Sequence, residues 1–341
     1  MQLEKEKPDL FPYKKNKHRI PDTLRAKEAF MMQPIIPPVD RELLALELNK
    51  ETYVRETNKG ENQIYIIDAH NAPNTLKEIG RLREVTFRSS GGGTDKDCDL
   101  DDFDTCEKCY KQLIVWNPED KEIVGGYRFI LCHEAKSADG NYHLATTELF
   151  TFSEKFKKEY LPVTIELGRS FVQPAYQPSA NNRKGLFSLD NLWDGLGALV
   201  IDYPDMNYFF GKVTMYRHFN VVARDYILHF MNHYFPDKEN LVTPIFPVKI
   251  LTDISELEKE LGQLDYKDGH HLLNKKVRAL DENIPPLVNS YMNLSATMHN
   301  FGTSVNSEFG DVDETGIMVT ISDIYPTKKE RHINSYTGRN K

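Results

Sequence analysis

Thr164-Ile-Glu-Leu-Gly-Arg-Ser-Phe-Val172 runs into a polar loop, residues 173–185. Then comes Leu186-Phe-Ser-Leu-Asp-Asn-Leu-Trp-Asp-Gly-Leu-Gly-Ala-Leu-Val-Ile-Asp-Tyr-Pro204. The first part reads as a strand, because Ile165, Leu167 and Val172 are apolar and β-prone. Glu166, Gly168 and Ser170 fall on one side of its alternation, Leu167 and Arg169 on the other. Gly168 in mid-strand points to a bulge or a close backbone approach. Ser188 or Asp190 is expected to cap the helix that follows, which ends at Pro204. Strand, loop and helix N-terminus in this order make a site for an anionic group, since free N–H groups and the helix dipole face the loop. Asn182, Arg183 and Lys184 lie beside that helix start. Glu166, on the adjoining strand, is a candidate base.

Strands are expected on either side of this unit in the chain. Residues 110–116 and 122–132 pair as a hairpin across Asn117-Pro-Glu-Asp. Residues 63–68 form an earlier strand, and a helix from Asn74 or Thr75 carries Arg83, Phe87 and Arg88. An apolar segment, 149–161, leads into the central strand. After the central helix come a strand at 208–215 and an amphipathic helix at 221–234. A charged helix at 254–264, a basic stretch at 272–280, a proline-started helix near 286 and a strand at 316–323 follow. The tail from Pro326 reads as loose. Residues 22–32 suggest a short helix in a Lys- and Pro-rich arm, and Asp40 caps a cover helix through Leu48. The sum is an α/β or α+β sheet with helices on both faces. The expected division is an arm at 1–60, a core at 61–250 and a helix–strand extension at 251–341.

The chain of 341 residues has 51 acidic and 43 basic side chains, a formal net charge of −8. That balance argues against a generic nucleic-acid binder. No apolar run reaches the length of a membrane span, and the N-terminus lacks a secretory signal. Cys106-x-x-Cys109, joined by Cys98, falls short of a zinc framework, and free thiols are the simpler reading. The aspartates between Asp95 and Asp104 lack the closing glutamate of a calcium loop. His229 and His233 stand at zinc-binding spacing on a helix but without the intervening glutamate of a metalloprotease. No metal is expected.

Several pieces resemble one family when taken in order. They are Arg83-Glu-Val-Thr-Phe87, Asp101-Asp-Phe-Asp104, Leu113-Ile-Val-Trp116, Ile123-Val-Gly-Gly-Tyr-Arg128, Glu166-Leu-Gly-Arg169-Ser-Phe-Val-x-Pro-x-Tyr176 and Leu192-Trp193-x-Gly195. The set resembles the hemolysin-like branch of the GNAT N-acyltransferases, which make lyso-ornithine and lyso-glycine lipids. That branch is related to the acyl-homoserine-lactone synthases. Ile36-Pro-Pro-Val-Asp-Arg-Glu-Leu-Leu44 ahead of the core makes the long form most similar to the glycine-lipid N-acyltransferases. Phe171 stands where the family usually has Cys, and Lys111-Gln where it has His-Leu. The Arg/Gln-x-x-Gly-x-Gly/Ala loop of coenzyme-A-dependent relatives is absent.

The resemblance implies a GNAT-like fold and acyl transfer from an acyl carrier protein thioester to the amine of a small amino acid, glycine ahead of ornithine. No permanently bound cofactor is implied. Glu166 would deprotonate the amine, directly or through one water, or would pair with Arg169 or Arg128 to hold the site's shape. Backbone N–H groups near Gly168 to Val172 would hold the oxyanion. Arg128 and Arg169, helped by Arg83, would take the acceptor carboxylate. Asp101 and Asp104 would orient these arginines, or the whole set would be a lattice pinning the first helix to the sheet. Phe87, Ser170 and Tyr127 or Phe129 would shape the acceptor pocket. Val172, Asn182, Arg183, Lys184, Ser188 and Trp193 would hold the phosphopantetheine. Trp193, Leu196 and Leu199 read as core before tunnel lining. An acidic carrier protein calls for a basic rim, drawn from Lys155, Lys157, Lys158, Arg183, Lys184 and Arg217. The implied location is the cytoplasm, with peripheral contact at the inner membrane left open. Two rival readings are a lactone synthase using S-adenosylmethionine and a non-enzymatic membrane-active protein. The second would need an exposed amphipathic or spanning segment.

Overall fold

The computed structural model describes residues 32–177 and 184–339. The expected helix at 22–32 lies outside them but for Met32, and so do Asn182 and Arg183. In chain order the named elements are α1 (Arg41–Glu47), β1 (Tyr53–Glu56), β2 (Gln63–Ile67), α2 (Pro73–Ser89), α3 (Asp102–Thr105), β3 (Lys111–Asn117) and β4 (Glu122–Leu131). Then come β5 (Phe150–Phe152), β6 (Thr164–Val172), α4 (Ser188–Asp202), β7 (Tyr208–Met215), α5 (Val221–Tyr234) and β8 (Val242–Pro244). The chain closes with α6 (Ser255–Leu261), α7 (Tyr266–Arg278), α8 (Pro286–Met292), β9 (His299–Asn306), β10 (Val312–Thr320) and α9 (Pro326–His332).

Eight strands form one sheet in the order β1-β2-β3-β4-β6-β7-β10-β9, and β5 and β8 pair separately. Every neighbour in the large sheet is antiparallel except β6 and β7, which run parallel. The alternation along the strands sends two sets of side chains to opposite faces. Val124, Phe129, Ile165, Leu167, Phe209 and Val213 pack with α4, α5 and the helices after them. Ile123, Ile114, Tyr65 and Phe171 pack against α2, and Ile130, Phe210 and Met318 continue that face over the β5–β8 pair. The result is a mixed sheet with helices on both faces.

Local chemistry fixes the element ends. The Asp40 side chain accepts from Glu42 N–H and caps α1. The Glu47 carboxylate accepts from Asn74 N–H, Thr75 N–H and the Thr75 hydroxyl, so the cover helix caps α2 from outside. At α4 the expectation is corrected: the N-cap residue is Phe187, with no side-chain cap. Ser188 is already inside the helix, and its hydroxyl donates to the Tyr176 carbonyl at 3.0 Å.

The tail also departs from expectation. Residues from Pro326 form α9, which lies on α4. His332 Nδ1 is 2.8 Å from Asp194 Oδ1, and Arg339 Nε donates to Asp202 at 2.7 Å. Nor do positions 60 and 250 coincide with breaks in the sheet. β1 forms one edge, β9 the other, and β10 sits between β9 and β7.

Candidate active site

Parallel pairing of β6 and β7 spans four registers, Thr164↔Tyr208 to Leu167↔Gly211, and then stops. Beyond that vertex both strands continue, β6 to Val172 and β7 to Met215, without pairing to each other. Gly211 makes the vertex tight: a Cβ there would stand 2.5 Å from the Leu167 carbonyl oxygen. Beyond it the sheet has a gap.

β6 is bulged at the gap. Gly168 opposes Arg128 and Phe171 opposes Gly126, so Arg169 and Ser170 together face Tyr127. Arg169 has φ +50°, a left-handed conformation unusual for a side chain with a Cβ. Its guanidinium is held from outside the strand. Arg169 Nε lies 3.1 Å from Asp99 Oδ2, and the group sits 4.3 Å above the Phe309 ring centre.

Two connected spaces occupy the gap. One, on the α4 side, is lined by Tyr127, Leu192, Trp193, Leu196, Tyr291 and Val319, with Leu167–Ser170 at its mouth. The other is a wider groove enclosing about 1680 Å³, open solvent included. It takes in Thr86, Phe87 and Ser90 of α2, Ser170 and Val172 of β6, Ser188 and Leu189 of α4, and Lys212, Thr214, Tyr216, Phe309 and Glu314. Arg169, Ser170, Leu189, Leu192, Lys212 and Leu287 border both. An apolar channel thus meets a groove that carries the charged side chains of Arg169, Lys212 and Glu314 where the strands part.

Lys212 and Glu314 were not anticipated from sequence. Lys212 Nζ is 3.0 Å from Glu314 Oε2, and both side chains are nearly buried. Asn306 Nδ2 donates to the other Glu314 oxygen at 3.2 Å. The register puts Glu314 opposite Thr214 and Gly316 opposite Lys212, so the ion pair is a diagonal one across β7 and β10. Beside it, burial pushes the Tyr216 phenol up to about 12, with Glu314's charge adding to the rise. Lysine within an otherwise apolar strand was the available signal. Starting the last strand at Gly316 left Glu314 outside it.

Glu166 is corrected as a direct base. Its side chain is sealed below the vertex and borders neither space. The Tyr110 hydroxyl donates to it at 2.8 Å and the Thr146 hydroxyl at 2.6 Å. Burial raises its carboxyl, against these two hydrogen bonds and the charges of Arg128 and Lys212. Arg83 and Arg128 are likewise corrected as carboxylate receptors. Arg83 Nη1 binds both Asp104 oxygens at 3.1 Å, and Arg128 Nη1 binds Asp101 at 2.6 Å and Asp104 at 3.0 Å. Gln112 accepts from Arg83 at 2.6 Å. Burial works to raise the Asp104 carboxyl, but Arg83 and Arg128 outweigh it and hold it well below the usual carboxylate range. These groups form the lattice that ties α2 and α3 to β3 and β4.

Phe87, Ser170, Val172, Ser188 and Trp193 do border the gap, Trp193 edge-on to Tyr291 with ring centres 5.3 Å apart. Leu196 lines the channel, whereas Leu199 and Phe129 are wholly core. Lys184 is not at the mouth. It reaches the β3–β4 turn, with Nζ 2.8 Å from Asp120. The expected basic rim is largely neutralised: Lys155 pairs with Glu239, Lys157 with Glu154 and Arg217 with Asp311.

The four cysteines are free thiols. Ligand atoms of Asp102, Cys106 and His143, rather than the Cys98 set, lie within 4.8 Å of one another at the surface. His229 and His233 stand with ring centres 6.4 Å apart. Among the described residues, no helix is long and apolar enough to cross a membrane.

A sheet parted between two parallel strands, with a helix N-terminus over the gap, invites comparison with known acyltransferases. Residues 82–184 match the acetyltransferase (GNAT) domain. This segment includes the second half of α2, the arginine–aspartate lattice and all of β6. A glycine N(alpha)-acyltransferase of Phocaeicola vulgatus is 51% identical over 306 residues, covering 89% of this chain and 94% of that protein. One of Bacteroides thetaiotaomicron is 52% identical over 306 residues, covering 89% of this chain and 91% of that protein. No solved structure matches. With identity at that level across both chains and the parted sheet in place, the chain belongs to the glycine N(alpha)-acyltransferase family and is an acyltransferase built on a GNAT domain.

Proposed function

We propose that the protein transfers a 3-hydroxyacyl chain from the thioester of an acyl carrier protein to the amine of glycine, giving a mono-acylated amino lipid. The observation that carries this reading is the apolar channel opening at the β6–β7 vertex onto a groove that carries Arg169, Lys212 and Glu314. A fatty chain fits walls made by Leu192, Trp193, Leu196 and Tyr291. A thioester carbonyl at the channel mouth would lie beside the Gly168–Ser170 bulge, whose ladder is interrupted. An N–H group there, aimed at the developing oxyanion, is typically worth about 3 kcal/mol. The α4 N-terminus, with Ser188 and Leu189 on the groove, suits the donor phosphate. The carrier-protein donor rests on the family resemblance and on the absence of the coenzyme-A loop from residues 173–185. Glycine is favoured by the names of the two relatives and by the lining itself. Among the described residues, Glu314 is the one acid on either space, so a cationic side chain such as ornithine's finds no second acid.

Purified protein given 3-hydroxyacyl carrier protein and a mixture of amino acids is expected to form N-acylglycine, read by mass spectrometry. Formation of no N-acyl amino acid overturns the proposal. Formation of N-acylornithine alone overturns its acceptor.

A further inference from the structure

We infer that Lys212 and Glu314 form the acceptor subsite, a two-pole receptor for an α-amino acid zwitterion; this rests on the function proposed above. Three charged side chains line the two spaces among the described residues: Arg169, Lys212 and Glu314. Arg169 is already committed to Asp99 and to the Phe309 ring. Lys212 pairs with Glu314, Glu314 also accepts from Asn306, and both face the groove. A nearly buried lysine–glutamate pair is a weak source of stability, because desolvation offsets much of its attraction. Its placement at the mouth of the channel gives it another use.

A zwitterion can insert into such a pair and exchange one ion pair for two. Its carboxylate meets the Lys212 ammonium, and its ammonium meets the Glu314 carboxylate. Lys212 belongs to the vertex strand, next to Gly211, so the amine held at Glu314 is directed at the gap where the thioester enters. No side chain opposes Lys212, since its partner in the register is Gly316.

Chemistry follows from that pose. Glu314 takes a proton from the bound ammonium. The freed lone pair attacks the thioester carbonyl carbon, and a C–N bond forms. The tetrahedral intermediate collapses as the C–S bond breaks and the sulfur leaves with its electron pair. The nitrogen sheds two protons on the way from ammonium to amide; one ends on the carrier thiol and the other in solvent.

The test compares acceptors within a single protein sample, so the ratio is insensitive to the folded fraction. Glycinamide lacks the carboxylate charge, and wild type should prefer glycine. Lys212→Met should erase that preference by about 10-fold or more, the worth of a hydrogen bond to a charged group. Aminoacetonitrile carries an amine that is already neutral near neutral pH. Glu314→Gln should lose about 100-fold or more in kcat with glycine, and much less with aminoacetonitrile. Where a single variant turns over too slowly, calorimetric titration with glycine and glycinamide reads the same preference. Where it misfolds, Lys212→Met/Glu314→Gln leaves no unpaired buried charge and is titrated in the same way. An unchanged glycine-to-glycinamide preference, or an equal loss with both amines, overturns the subsite. Wild type that acylates glycine while the variants keep these ratios defeats this inference alone; wild type that acylates no amino acid defeats the function beneath it.

Discussion

Glu166 and Asp104 are both buried carboxyls, yet their surroundings drive them in opposite directions. Glu166 is raised by burial. A folded-state pKa above the unfolded one means the folded state holds the proton more tightly, so wild-type stability falls as pH rises through the ordinary glutamate range and on to the raised value. Glu166→Gln removes that titration and can keep both hydroxyl partners. Its melting temperature should gain on wild type as pH rises above about 4, the ordinary glutamate value. Its turnover should fall by less than the roughly 100-fold expected on losing a catalytic base; a larger loss would return Glu166 to the chemistry. Asp104 is the reverse case, lowered by Arg83 and Arg128. Its contribution is present above the unfolded value of about 3.9 and is lost as pH falls below it. Asp104→Asn should therefore flatten the acid limb of stability, read by denaturant titration across that range. Arg83→Met leaves Asp104 with one arginine partner fewer in the interior and should cost about 3–5 kcal/mol at neutral pH. Little change would mean that the lattice contributes nothing to the fold.

At the scale of elements, the α4–α9 contact depends on one residue. A Cβ on Gly197 would stand 2.0 Å from the His332 carbonyl oxygen. Alanine would add about 1 kcal/mol of helix propensity, but displacing a backbone typically costs about 1–3 kcal/mol. Gly197→Ala should therefore lower the melting temperature and, by lifting α9 off α4, weaken protection of the residue 332–339 amides in hydrogen exchange. A variant as stable as wild type would contradict this packing. The strand, the bulge near Gly168 and the central helix were legible because alternation, a mid-strand glycine and a 3.6-residue period are local signals. The ordering of the tail was not. Its anchors, His332, Ile333 and Tyr336, are few and lie among basic residues, and their partners Asp194 and Asp202 are over a hundred residues away. The inversion of Glu166 from base to buried support was illegible for a similar reason. Alternation gave its face, but Tyr110 and Thr146, which seal that face, come from other segments.

For the molecule as a whole, the question is whether residues up to 250 could stand alone. A GNAT-domain match confined to 82–184, and a sequence that reads as a core followed by an extension, both suggest that they could. The strand order argues otherwise. β7 is interior, flanked by β6 on one side and β10 on the other, and β10 pairs with it along eight residue pairs from Asp313↔Met215 to Thr320↔Tyr208. Ending the chain at Ile250 would strip that whole edge of β7 and expose unpaired N–H and C=O groups beside a wide apolar face. The same cut removes α8, whose Leu287 and Tyr291 wall the channel, and Glu314 with it. A 1–250 fragment is expected to lack a cooperative thermal transition, to bind a hydrophobic dye and to show no acyl transfer. The full chain should melt in one step, because β1 at one edge and β9 at the other belong to a single hydrogen-bonded sheet. A fragment that melts cooperatively would show that the core closes without its last two strands, and the parted sheet would then be a property of the matched domain rather than of the whole chain.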